Sequence, residues 1–90
     1  MPHNFLTHEV KNFDNWVNGF KAGEPLRNKF GIKVHGVYRA ENNPNMVTIH
    51  TEANSQENFK QFLADPELKE AMDKAGVVGQ PTMSISHKVE

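Results

Sequence analysis

The segment Ile32-Lys33-Val34-His35-Gly36-Val37-Tyr38-Arg39, followed after Ala40 by Glu41-Asn42-Asn43-Pro44-Asn45 and then Met46-Val47-Thr48-Ile49-His50-Thr51-Glu52, decides the fold. Both flanks alternate with a period of two and are rich in β-branched residues, and the centre is turn chemistry. Two strands joined by so short a loop must pair antiparallel as a hairpin.

Outward toward the N-terminus, helical spacing links Phe13, Trp16, Val17 and Phe20, and Asn12 stands where an N-cap belongs. Gly23-Glu24-Pro25 interrupts that helix, and Pro25 opens a short turn holding Leu26 and Phe30 before Gly31. Asn4 to Val10 alternates again and predicts a first strand. Outward toward the C-terminus, Asn54-Ser55-Gln56-Glu57 is close to a capping box, with Asn54 as the cap and Glu57 three residues on. Phe59, Phe62 and Leu63 form an apolar stripe. Asp65 caps a second start, with Pro66 at the first helical position, and Leu68, Ala71, Met72 and Ala75 continue the stripe to Gly76. Val77-Val78-Gly79-Gln80-Pro81 reads as a loop, and Thr82 to Val89 as a fourth strand. The order is βαββαβ across residues 1–90, a single α+β domain of ferredoxin-like type. Right-handed crossovers put its helices on one face of a four-stranded antiparallel sheet in order 4-1-3-2.

Composition narrows the functions. Ten basic residues against eleven acidic ones give a net charge of −1 without runs of either sign, so there is no footprint for nucleic acid or an anionic membrane. There are no cysteines, which excludes disulfides, thiolate metal sites and cysteine nucleophiles. No apolar stretch approaches the ~20 residues of a membrane span, and Met1 to Val10 does not read as a secretory signal. A cytoplasmic location is expected. RNA-recognition domains share this element order, but they stack bases on aromatics of the first and third strands. The third strand here offers only Met46, Thr48 and His50.

Alternation divides the residues between two sheet faces. Leu6, Val10, Ile32, Val34, Val47, Ile49, Met83 and Ile85 are expected beneath the helices. Phe5, Thr7, Glu9, Lys33, His35, Val37, Arg39, Met46, Thr48, His50, Thr82, Ser84 and Ser86 are expected on the open face. A domain of this size buries only about 60–65% of its chain surface, and Phe5, Val37 and Met46 would be wasted on an open face that nothing covers.

Three stretches resemble the dimeric α+β barrel superfamily, the group of antibiotic-biosynthesis monooxygenases and related small proteins. They are Phe13-Asp14-Asn15-Trp16, the hairpin from Tyr38-Arg39 to Asn43-Pro44-Asn45, and Asp65-Pro66-Glu67-Leu68-Lys69-Glu70-Ala71-Met72 running into Ala75-Gly76-Val77-Val78-Gly79. The resemblance implies a homodimer in which two sheets pair through their open faces around a cavity. It also implies, in haem-degrading members, an asparagine on the first strand with a histidine and a tryptophan near the second helix. Asn4 could stand for the first, but residues 54–75 hold neither of the others, which speaks against haem breakdown. Trp16 lies on an apolar helical stripe and reads as a core anchor.

Five histidines are present, four of them placed one per strand: His8, His35, His50 and His87. His35 and His50 share the open face and are the candidate catalytic residues. With Glu9 they make a His-His-carboxylate pattern, of the kind that holds a divalent metal or moves a proton. The plainer reading has both imidazoles lining a cavity beside Thr7 and Thr48, with no metal and no cofactor. His3 reads as solvated, and His8 and His87 as edge or partly buried residues. Glu9 and Arg39 are candidates for an ion pair. The ligand-binding set is Phe5, Thr7, Glu9, His35, Val37, Arg39, Thr48, His50 and Ser84. The expected function is binding of a small molecule in the barrel of a homodimer. The alternative is a cofactor-independent monooxygenase or isomerase acting on a small apolar or aromatic substrate. Whether catalysis occurs is left open by the residues.

Overall fold

The chain follows this plan in a computed structural model that describes residues 2–90. It runs β1 (His3–Val10), α1 (Phe13–Ala22), α2 (Glu24–Lys29), β2 (Ile32–Ala40), β3 (Asn43–Ala53), α3 (Gln56–Ala64), α4 (Pro66–Lys74) and β4 (Val77–Ser86). The sheet is antiparallel throughout, in order β2-β3-β1-β4. Asn12 caps α1 by accepting a hydrogen bond from the Asn15 N–H at 3.0 Å. The cap of α3 is Ser55, one residue later than expected: its hydroxyl accepts from the Asn58 N–H at 3.1 Å. Asp65 ends α3 and caps α4, its carboxylate accepting from the Glu67 N–H at 2.8 Å. Gly31, with φ at 69°, turns the chain from α2 into β2 in the left-handed region that favours glycine.

All four helices pack on one face of the sheet, in two clusters. Val10, Trp16, Val47 and Ile49 form one beneath α1, and Ile32, Ala53, Phe59 and Phe62 form the other beneath α3. No helix among the described residues is long and apolar enough to cross a membrane.

Three irregularities shift residues from their expected places. β4 starts at Val77 rather than Thr82 and ends at Ser86, leaving His87 beyond the strand. Its segment Gly79-Gln80-Pro81 bulges opposite His8, because pairing jumps from Thr7↔Thr82 to Glu9↔Val78. Gly79 takes φ of 70°, and a proline is tolerated because β4 is an edge strand. The hairpin turn is only Glu41-Asn42, and the extra residues of Pro44-Asn45 are absorbed by β3.

The third irregularity matters most. Between Val34↔Thr51 and Gly36↔His50, β2 carries one extra residue, His35. A bulge resets the alternation beyond it. Val37 therefore pairs with Ile49 and packs into the core beneath the helices, correcting its expected place on the open face. Arg39 moves with it: its guanidinium lies 3.9 Å from the centre of the Phe13 ring on α1, and its Nε donates to the Pro44 carbonyl. The expected Glu9–Arg39 ion pair is not formed, since the two side chains stand on opposite faces. Gly36 and Tyr38 take the open-face positions instead, Tyr38 opposite Thr48.

Candidate functional site

The open face brings together histidines from three strands. Cross-strand register sets His3 opposite Glu52 and Phe5 opposite His50, and the bulge swings His35 over the same patch. The His35 and His50 rings lie 4.9 Å apart, and the His3 ring lies 5.1 Å from His50 and 5.6 Å from His35. His3 Nδ1 and His50 Nε2 share a hydrogen bond at 2.9 Å, so His3 is a half-buried member of the cluster and not the solvated residue expected. His35 Nε2 donates to the Glu52 carboxylate at 2.7 Å. Phe5 stacks on His50 at 4.3 Å. Partial desolvation, then the charges that His35 and His3 can carry, lower the His50 pKa, and the His35 hydrogen bond lowers that of Glu52.

Glu9 is not the carboxylate of this cluster. It pairs with Met46, four positions from His50, which is about 13 Å along a strand. Thr7 and Thr48 bond each other at 2.8 Å, and Ser84 bonds Ser86 at 3.3 Å on exposed β4. Among the described residues no hydrogen bond joins Thr7, Thr48 or Ser84 to the histidines.

The other face of the sheet holds a site that the strand pattern did not single out. Between sheet and helices lies a cavity of about 480 Å³, walled by Trp16, Phe20, Leu26, Ile49, Phe59 and Leu63. Met83 of β4 also lines it and stays 46% exposed. Asn4, His8 and Thr51 face the same cavity and are buried. Asn4 Oδ1, both ring nitrogens of His8 and Thr51 Oγ1 have no hydrogen-bond partner among the described residues. Buried polar atoms are almost always paired, and orphans cost about 1–3 kcal/mol each. His8 meets the Trp16 ring edge-on at 5.5 Å, and burial lowers its pKa, keeping the imidazole neutral. Arg27 lines the cavity too, but its guanidinium is spent on Phe20, stacked at 4.0 Å from the ring and bonded to the carbonyl.

Asn4 and Thr51 pair directly across β1 and β3 and mark one end of this cavity. His8, four residues along β1 from Asn4, stands about 13 Å away at the other end. The legible signal was two polar residues, Asn4 and His8, in register with Leu6 and Val10 on the strand side that the helices cover.

This sheet order, with paired helices on one side, is that of known structures. The Bordetella bronchiseptica antibiotic biosynthesis monooxygenase-like protein superposes with a TM-score of 0.78 at 16% identity, over 99% of this chain and 97% of that one. The Caulobacter crescentus protein of the same description gives 0.78 at 15% identity, over 99% and 90%. A NIPSNAP domain protein of Burkholderia xenovorans gives 0.72 at 9% identity, over 99% and 95%. The chain has the fold of the antibiotic biosynthesis monooxygenase-like proteins. No family model matches the sequence, and no curated protein matches it. At these identities the likeness is one of monooxygenase-like fold and carries no chemistry.

Proposed function

We propose that the protein binds a small, elongated and mostly apolar molecule in the cavity between its sheet and its own helices. One observation carries this reading: an aromatic-walled cavity of about 480 Å³ has unpartnered buried polar atoms of Asn4 and Thr51 at one end and of His8 at the other. A volume of ~300–1,000 Å³ with few, placed polar groups is the usual form of a small-molecule site. An aromatic ring system with a hydroxyl or carbonyl at each end would satisfy those atoms while covering the apolar wall. The cavity lies on the opposite side of the sheet from the open face, so His35 and His50 would not touch this ligand.

His8 favours a second, catalytic reading. A neutral buried imidazole with both nitrogens free can take a proton from an acidic C–H or O–H of the bound molecule. That is the step a cofactor-independent monooxygenase or isomerase needs first. We also propose a cytoplasmic homodimer, with a second copy covering the open face, where Phe5, Tyr38 and Val78 are exposed. The absence of cysteine suits a reducing compartment.

Trp16 is the only tryptophan and lines the cavity, so its emission reports occupancy. Titration with 4,4′-dihydroxybiphenyl, which carries a hydroxyl at each end of an aromatic core, is expected to quench it saturably, and Asn4→Leu and His8→Phe each to weaken binding at least tenfold with the fold retained. Emission that does not respond, or equal binding by both variants, would count against the cavity as the site.

A further inference from the structure

The histidine cluster on the open face has no part in that reading. It is a second constellation, on the other side of the sheet, and its donors converge. One ring nitrogen each of His3 and His35 and a carboxylate oxygen of Glu52 lie within 4.8 Å of one another. We propose that these three residues bind a divalent transition-metal ion of the zinc class, with His50 orienting His3 from behind.

The ligand set decides the class of ion. Two imidazoles and one carboxylate suit zinc, iron(II), nickel or copper, and leave a position open for water or a ligand. Calcium and magnesium require oxygen donors and are disfavoured. Zn–N and Zn–O bonds of about 2.0–2.2 Å put tetrahedral donors roughly 3.3 Å apart. His35 Nε2 and the Glu52 oxygen, now bonded at 2.7 Å, need only part slightly to admit an ion between them. The three donor atoms already lie within 4.8 Å of one another, so an approach of at most roughly 1.5 Å completes the set.

The supporting contacts are those of a metal centre. A ligating imidazole characteristically uses its second nitrogen on an outer partner, which fixes ring orientation. His3 Nδ1 is held by His50 Nε2 at 2.9 Å, leaving Nε2 of His3 for an ion, and Phe5 stacks on His50 in turn. Each ligand sits on a different strand: His3 on β1, His35 on β2, Glu52 on β3. The sheet therefore supplies a rigid base. Lys33 is directly opposite Glu52 in the register, yet among the described residues the ion pair of Glu52 is with His35.

The test uses the full chain, stripped with a chelator and titrated with Zn²⁺ by calorimetry. Co²⁺ serves as a spectroscopic substitute whose visible bands report nitrogen and oxygen coordination. One ion per chain is expected, with His35→Ala and Glu52→Gln each weakening binding at least tenfold. His87→Ala, which alters an exposed residue beyond β4, should bind as the parent does. Circular dichroism of each variant separates loss of the site from loss of the fold. Absence of Zn²⁺ binding, or binding that persists in both His35→Ala and Glu52→Gln, overturns the proposal. Either result leaves the cavity beneath the helices untouched, since that is read through Trp16 on the other face.

Discussion

His8 carries the sharpest expectation at the scale of a residue. It is 4% exposed with neither ring nitrogen partnered, and burial lowers its pKa below the ordinary 6.5. The unfolded chain therefore binds a proton at higher pH than the folded one. Stability is fully present above that ordinary value and falls as pH drops from about 6.5 toward the folded pKa of His8. His50, also lowered, titrates in the same direction. Chemical denaturation from pH 7.5 to 5 should show a decline that is shallower in His8→Phe than in the parent. A variant with an unchanged slope would mean that His8 is solvated or paired. The residue scale also shows why the open-face set was only partly legible. Phe5, Thr7, Thr48 and His50 follow strict alternation, whereas Val37 and Arg39 lie beyond a one-residue bulge that no local pattern announces.

At the scale of elements, α1 is held to the sheet by one large anchor. Trp16 is 2% exposed, stacks on Phe20 at 5.0 Å and packs with Val10, Val47 and Ile49. Trp16→Ala should destabilise the fold by roughly 3–5 kcal/mol, the range for large aromatic truncations in cores. The measurement is urea unfolding followed by far-ultraviolet circular dichroism, since the variant has no tryptophan to follow. A loss below about 1 kcal/mol would show α1 to be docked by other contacts. Gly19 explains how closely that helix approaches its neighbour: a Cβ placed there would lie 2.9 Å from the Ala75 Cβ. Helix starts at Asn12 and Asp65 were readable because capping is local chemistry. The start of β4 was not, because Gly79 and Pro81 carry turn propensity that sheet pairing at an edge overrides.

The whole molecule presents an unfinished surface. Phe5 and Tyr38 are 40% and 57% exposed on the face that no helix covers. A second copy laid on that face would bury both, and a chain this small gains proportionally from doing so. Light scattering at micromolar concentration should give twice the chain mass of 10.2 kDa, and Tyr38→Glu together with Phe5→Glu should reduce it to a monomer without loss of helical signal. A monomeric parent would sink the barrel assembly and leave the cavity reading intact, since the cavity lies within one chain.

Local chemistry alone determined the element order, the antiparallel hairpin, the caps at Asn12 and Asp65 and the sheet order, since each depends on neighbours in sequence or on the handedness of crossovers. Alternation also put most strand residues on the correct face. The tertiary structure alone decided which polar residues meet. The β1–β3 register put His3 and Glu52, rather than Glu9, beside His50, the bulge swung His35 over them, and the packing of helices over β1 turned Asn4, His8 and Thr51 into unpartnered atoms of a cavity. The physical reason is that register and burial are properties of paired strands and packed layers. A one-residue bulge costs little locally, yet it reverses the face of every residue beyond it.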